Sequence, residues 1–120
     1  MSGERYDLED RTLVFAKGII DLCRKLPNNT INFKLIDQII RSSASVGANY
    51  REANDYLGKK DFLYRLRISR KEAKETQFWL DLILHGNSRF KKEVMVLQGE
   101  CLQLRKIISS IINKFGKKLN

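Results

Sequence analysis

The chain contains only one proline, one histidine and two cysteines among 120 residues. So few prolines, in a chain dominated by leucine, isoleucine, lysine, glutamate and arginine, favour long helices over sheet. A single histidine excludes the repeated Glu-x-x-His motif of a di-iron bundle. Neither cysteine has another cysteine or a histidine at ligand spacing, so we expect Cys23 and Cys101 to pack as small core side chains. The sequence therefore predicts neither a metal nor a cofactor.

Long apolar runs are also missing. The longest candidate, residues 78–84, is interrupted by Asp81 and falls short of the ~20 residues that cross a bilayer. The start, Met1–Glu4, lacks the basic and apolar regions of a signal peptide. We therefore expect a cytoplasmic protein. The length and the 42% apolar content predict one domain, residues 1–120, with one core.

Four segments carry apolar residues at the alternating spacing of three and four that is typical of helices. They cover about Asp7–Lys25, Asn32–Leu57, Lys59–His85 and Arg89–Lys117. Four helices with short connections pack most simply as an antiparallel up-down-up-down bundle. The fold class predicted is therefore all-α, a four-helix bundle.

The breaks between these segments have recognisable turn chemistry. Pro27 ends the first helix, because the residue before a proline is disfavoured in the α region. Gly58 separates the second helix from the third. Gly86 is predicted to close the third helix in a left-handed conformation, and Asn87 or Ser88 to cap the fourth.

Each predicted helix has one stripe of core positions. In the first helix these are Leu8, Thr12, Phe15, Ile19, Leu22 and Leu26, and in the second Phe33, Ile36, Ile40, Ser43, Gly47, Tyr50, Asn54 and Leu57. In the third they are Phe62, Leu66, Ser69, Ala73, Thr76, Leu80 and Ile83, and in the fourth Phe90, Val94, Leu97, Cys101, Leu104, Ile108, Ile111 and Phe115. A polar layer at mid-bundle is expected from Ser42, Ser43, Ser45, Asn49, Ser69 and Thr76.

The charge is unevenly distributed along the chain. Residues 1–58 hold eight acidic and eight basic side chains, whereas residues 59–120 hold six acidic and fifteen basic ones. The second half therefore supplies the whole net charge of +9. An excess of this size indicates an anionic partner such as nucleic acid, although helix exteriors are also commonly solvated by lysine and arginine.

On a helical wheel, a basic line with one aromatic residue runs along the third helix, opposite its core stripe. Its members are Lys60, Tyr64, Arg67, Lys71 and Lys74, and the fourth helix adds a thinner line of Lys92, Lys106 and Lys117 with Gln103 between. Lysine and arginine release counterions from a phosphate backbone, so the two lines form a candidate nucleic-acid-binding surface.

The third helix is apolar nearly all round between Phe78 and Leu84. Phe78 and Leu82 lie on its outward face, and Trp79 lies on a flank with Ile68. A helix that is apolar on every side needs cover on every side. These four residues are therefore predicted to form a contact between subunits of a homo-oligomer, and a C-terminal tail folded over them is the alternative.

No catalytic arrangement is recognisable. His85 lies at a predicted helix end, where it complements the helix dipole. Glu72 and Glu75 are expected to pair with Arg41, Arg51, Arg65 or Arg70 rather than to act as general acids. The chain is therefore predicted not to be an enzyme.

Several motifs resemble a known family. The run Arg41–Ala53 (RSSASVGANYREA), Lys59–Phe62 (KKDF) and Ile68–Thr76 (ISRKEAKET) followed by Trp79-Leu80 are similar to the four-helix-bundle proteins of the 23S rRNA intervening-sequence family. Tyr6–Glu9 and the Leu26-Pro27 break fit as well. The resemblance spans about residues 5–84, while the fourth helix matches only in its apolar pattern.

The resemblance implies a bacterial four-helix bundle that forms homo-oligomers, commonly pentamers, with no established enzymatic activity. The accessory protein of diversity-generating retroelements is similar, and its basic bundle binds nucleic acid and a reverse transcriptase. The residues shared with the family look structural, so they are not carried over as a binding site.

Two functions are therefore compatible with the sequence. The first is a non-catalytic oligomeric accessory protein that binds nucleic acid, RNA more than DNA, through the basic lines of the third and fourth helices. The second is a protein-interaction scaffold whose basic face docks an acidic partner protein. No membrane contact is expected.

Overall fold

Four α-helices follow one another with short connections in the computed structural model, which describes residues 4–116, with side chains from Leu8 onward. They are α1 (Glu4–Lys25), α2 (Thr30–Asn54), α3 (Lys59–Gly86) and α4 (Lys91–Gly116). One turn of 3₁₀ helix, Ser88–Phe90, joins α3 to α4. The all-α prediction is confirmed. None of the helices within residues 4–116 is apolar over enough of its length to cross a membrane.

Neighbouring helices run antiparallel. Asn32 at the start of α2 bonds Asn87 just beyond the end of α3. Val46, farther along α2, accepts a hydrogen bond from Ser69, which lies nearer the start of α3. Each helix packs against two others, and within the described residues α1 and α3 occupy diagonal corners, as do α2 and α4. The predicted up-down-up-down bundle is confirmed.

The connections follow the predicted chemistry only in part. α1 ends at Lys25, just before Leu26-Pro27, and Gly58 has a φ of 115°, a left-handed conformation that favours glycine. The prediction for Gly86 was wrong. Gly58 is the one glycine of the described chain with positive φ; Gly86 is the last residue of α3, and the chain turns at Asn87 with a φ of −142°.

The caps of α2 and α4 also differ from expectation. The Asn29 side chain accepts a hydrogen bond from the Asn32 N–H at 2.8 Å, so α2 begins at Thr30 rather than at Asn32. The Asn87 side chain makes no capping bond, because its Oδ1 accepts a hydrogen bond from Asn32 Nδ2 inside the bundle and its Nδ2 donates to Asn32 and to the Ile83 carbonyl. Of the two residues predicted to cap the fourth helix, Asn87 therefore does not do so, and a 3₁₀ turn that starts at Ser88 precedes α4.

The core stripes of α1, α3 and α4 lie close to where the sequence placed them. All six predicted positions of α1 are buried, as are the six from Leu66 to Ile83 on α3. Phe62 is only partly buried, and Leu63 beside it fills the core instead. On α4 the stripe is joined by Ile112, which is more deeply buried than its neighbour Ile111.

The predicted rotation of α2 about its axis was wrong by about one residue. Its buried residues are Asn32, Ile39, Ser42, Ser43, Val46, Tyr50 and Ala53. Phe33 is 59% exposed and Ile40 37% exposed. Leu57 is 92% exposed because α2 ends at Asn54. The buried amide pair of Asn32 with Asn87 fixes a rotation of α2 that apolar periodicity alone does not reveal.

The polar layer at mid-bundle is present. Ser42, Ser43, Ser69 and Thr76 are buried. Thr76 Oγ1 lies 2.8 Å from Ser42 Oγ, and Ser69 Oγ donates to the Val46 carbonyl at 2.7 Å. Asn49 is partly buried and donates to the Ser45 carbonyl and hydroxyl. These bonds satisfy polar groups that would otherwise be costly to bury and fix the register of α3 against α2.

Gly47 provides a direct test of the close approach between α1 and α2. A Cβ at Gly47 would lie 2.8 Å from Thr12 Oγ1, and Thr12 is itself held by a bond to the Glu9 carbonyl. We expect Gly47→Ala to lower the free energy of unfolding by about 1 kcal/mol, because overpacking outweighs the gain in helix propensity.

Gly99 is the matched control, since it is also inside a helix but an added Cβ would meet nothing within 4 Å. Gly99→Ala should raise the free energy of unfolding by about 0.5–1 kcal/mol. Urea unfolding at one fixed protein concentration measures both. A Gly47→Ala protein as stable as the Gly99→Ala protein would contradict the packing described.

Candidate nucleic-acid interface

The five residues predicted on the outer face of the third helix do share one exposed surface. Lys60, Tyr64, Arg67, Lys71 and Lys74 are all exposed, while Leu66, Ser69, Ala73 and Thr76 on the other side are buried. We call these five residues the α3 basic stripe. At 1.5 Å per residue, the stripe is about 21 Å long from Lys60 to Lys74.

The positive charge of the α3 basic stripe is not neutralised within the described chain. None of the ion pairs within residues 8–116 includes one of its four cations. The carboxylates of α3 lie on the flanks instead. Glu72 and Glu75 pair with α2, and Asp81 accepts a hydrogen bond from Gln98 of α4 at 2.8 Å. The stripe therefore presents its charge to solvent.

The α4 candidates divide into two groups. Lys106 is exposed and borders a shallow depression of about 450 Å³ that also includes Arg105, Ser109 and Asn113. Phe62 contacts Phe115, and Cys101 contacts Ala73, so Lys106 lies between these contacts, at the same level along the bundle as the stripe. Lys92 is exposed near the opposite end of the bundle, apart from the stripe. Lys117 lies outside the described residues.

Arg105 was not predicted as part of this surface. It is half-buried, and its Nη1 donates to Gln77 Oε1 of α3 at 2.5 Å. The guanidinium is therefore held across the seam between α3 and α4, beside Lys106. Arg105 directly precedes Lys106 in the sequence, so a search for adjacent basic residues would have added it to the predicted surface.

The predicted subunit contact is an exposed apolar patch next to an ion-pair network. Phe78 is 56% exposed and Leu82 37% exposed, while Trp79 and Ile68 are half-buried. The Phe78 and Trp79 rings meet edge to face at 5.3 Å. We call these four residues the α3 apolar patch.

Arg41 of α2 links the α3 apolar patch to the carboxylates expected to pair there. Its guanidinium bonds Glu72 at 3.3 Å and also bonds Glu75, which accepts a hydrogen bond from Trp79 Nε1 at 3.4 Å. Pairing of Glu72 and Glu75 with Arg41 is thus confirmed. Arg65, another candidate partner, contacts Asp61 instead.

A second group of exposed apolar side chains was missed. Leu13 and Ile20 are 40% and 38% exposed on α1, and Phe33 and Ile40 lie outside on α2. In each pair the residues are seven positions apart, so they share a helix face. The prediction missed this group because it assigned Phe33 and Ile40 to the core.

A cavity of about 460 Å³ opens at the end of the bundle where α2 ends and α3 begins. Tyr50, Tyr56, Phe62 and Phe115 form much of its wall, and Lys59 and Lys114 also line it. No sequence motif indicated this cavity.

Both cysteines are buried and reduced, as expected of packing residues. Burial raises the pKa of Cys23 to about 11 and that of Cys101 to about 12. The Cys101 thiol also donates to the Ala73 carbonyl at 3.1 Å. The nucleophilic thiolate is therefore disfavoured near neutral pH at either position. His85 is exposed in the last turn of α3, where the helix dipole favours a cation.

The chain is similar to known proteins over most of its length. The model of the family described as 23S rRNA-intervening sequence protein matches residues 4–110. A crystal structure of a protein of unknown function from the S23 ribosomal protein family of Bacteroides thetaiotaomicron VPI-5482 is 34% identical, with a TM-score of 0.80. The similarity covers 88% of this chain and 97% of that one. No functionally curated protein matches significantly. The chain belongs to the 23S rRNA-intervening sequence protein family.

Proposed function

We propose that the protein is a non-catalytic, oligomeric accessory protein of the cytoplasm that binds nucleic acid through the α3 basic stripe and Lys106. The observation that carries this proposal is the absence of any acidic partner for the stripe's four cations within residues 8–116. A line of unpaired cations along one helix suits a phosphate backbone, because each contact releases condensed counterions.

The flank pairing of Glu72, Glu75 and Asp61 strengthens the proposal. Glu72 and Glu75 pair with Arg41 of α2, and Asp61 pairs with Arg65, so none of the three carboxylates neutralises a cation of the stripe. RNA is placed ahead of DNA because the family description refers to ribosomal RNA. No base-reading geometry is apparent on a convex helix exterior, so binding is expected to be largely independent of sequence.

Charge reversal on the stripe tests this proposal. The double variant Lys71→Glu/Lys74→Glu should lower the affinity for a labelled RNA by about tenfold or more at ~0.1 M salt. It should also make the salt dependence of the binding constant shallower by about two contacts. Fluorescence anisotropy over a series of salt concentrations measures both quantities.

Lys17→Glu/Arg24→Glu is the matched control, since both residues are exposed on α1, diagonal to α3, and the change in net charge is identical. It should bind RNA nearly as the unsubstituted protein does. Equal losses of RNA affinity in the two double variants would show that only the net charge of the protein matters. No loss of affinity in either variant would contradict the proposal. A protein partner that survives nuclease treatment in a pull-down, and is lost on stripe reversal, would favour the acidic-partner alternative.

Self-association through the α3 apolar patch completes the proposal. Phe78 and Leu82 leave much of their apolar surface in solvent, and a second subunit would cover it. The family resemblance suggests a pentamer. Repeating the stripe around an assembly would make nucleic-acid binding multivalent.

Phe78→Glu is expected to convert a micromolar assembly to monomers, because it places an unpaired charge in an apolar contact. Sedimentation velocity measures the change. Val96→Glu is the matched control, since Val96 is 72% exposed on α4 and lies outside the patch. It should leave the assembly intact. An unsubstituted protein that sediments as a monomer at micromolar concentration would refute the contact.

A further inference from the structure

Tyr64 is the one aromatic member of the α3 basic stripe, and its ring is 58% exposed. Lys60 lies four residues before it and Arg67 three residues after it, so both are its neighbours on the helix surface. A phosphate held by either cation would therefore place its attached base within reach of the Tyr64 ring.

A cation of the same helix lies near one side of the Tyr64 ring. The Arg65 guanidinium carbon lies 5.8 Å from the ring centroid, and Arg65 Nε is 3.8 Å from Asp61 Oδ1. Asp61 is held in turn, because its other oxygen accepts a hydrogen bond from the Leu57 N–H at 3.1 Å. The ring therefore has a cation beside it, while Tyr64 remains 58% exposed.

We propose that the α3 basic stripe holds an unpaired strand of nucleic acid, with one of its bases stacked on Tyr64. This inference rests on the proposed function and specifies its substrate class. In a duplex the base faces are covered by neighbouring bases, and the deep, narrow major groove of paired RNA does not admit side chains. An unpaired strand offers free base faces, and stacking on an aromatic side chain tolerates any base.

The arrangement of the cations suits the phosphate backbone of a single nucleic-acid strand. Lys60, Arg67, Lys71 and Lys74 follow one line along one helix, and Glu72 and Glu75 beside that line pair with Arg41 of α2. A single line of cations suits one phosphate backbone, since the two backbones of a duplex lie apart from each other. One strand, running along α3 with a base turned onto Tyr64, meets only the cations and the ring.

The test compares an oligouridine of about twelve nucleotides with an RNA duplex of the same length, using the full chain. The unsubstituted protein should bind the oligouridine more tightly at equal salt. Tyr64→Ala should weaken oligouridine binding by about fivefold to a hundredfold and change duplex binding by less than about twofold. Tyr64→Phe keeps the stacking surface and should retain the affinity.

Phe33→Ala is the matched control, because Phe33 is 59% exposed on α2 and should affect neither RNA. Ultraviolet cross-linking followed by mass spectrometry should locate the uridine adduct on the peptide that contains Tyr64. Equal binding of the two RNAs, or equal losses for both in Tyr64→Ala, would overturn the stacking inference while leaving the proposed function standing. Loss of neither RNA in Lys71→Glu/Lys74→Glu would instead overturn the proposed function.

Discussion

Buried polar contacts from small side chains of α3 to α2, together with the apolar side chains around them, determine which face of α3 reaches solvent. Ser69 Oγ bonds the Val46 carbonyl, and Thr76 Oγ1 lies within hydrogen-bond distance of Ser42 Oγ, both in the buried interior. A rotation or a sliding of α3 would leave Ser69 Oγ unpaired away from water, at a cost of about 1–3 kcal/mol. Thr76 and Ser42 would lose their mutual contact but keep their bonds to carbonyls of their own helices. The α3 basic stripe faces outward because the opposite side of the helix is fixed in this way.

The same rotation sorts the charges of α3. With Ser69 and Thr76 inward, Glu72 and Glu75 fall on the flank beside Arg41, and Asp81 falls on the flank beside Gln98. Exposed ion pairs of this kind add little stability, so their main consequence is electrostatic. They remove the carboxylates from the outer face and leave a basic line along one half of α3 and an apolar patch along the other.

Periodicity in the sequence was sufficient to predict the number of helices, their order and three of the four core stripes. It was insufficient for α2. Ile39 and Ile40 are adjacent there, and small serine and glycine residues fill the middle of the helix, so the apolar pattern fits two rotations of the helix about its axis almost equally well. Tertiary hydrogen bonds of Asn32 decided between them. Asn87 shows the same limit of local sequence patterns. It was predicted to cap a helix, but its side chain bonds Asn32, which is 55 residues away in the sequence. The stripe was predictable because the apolar spacing of α3 already marks its buried side, and the hydrogen bond from Ser69 to α2 holds that same side inward.

The central claim is that nucleic acid contacts the outer face of α3, and lysine footprinting tests it independently of any substitution. The protein is acetylated with and without oligouridine, and modification at each lysine is quantified by mass spectrometry. The account predicts strong protection of Lys60, Lys71 and Lys74, weaker protection of Lys106, and unchanged reactivity of Lys17 and Lys34. Protection of Lys17 and Lys34 equal to that of the stripe, or no protection at saturating oligouridine, would contradict it.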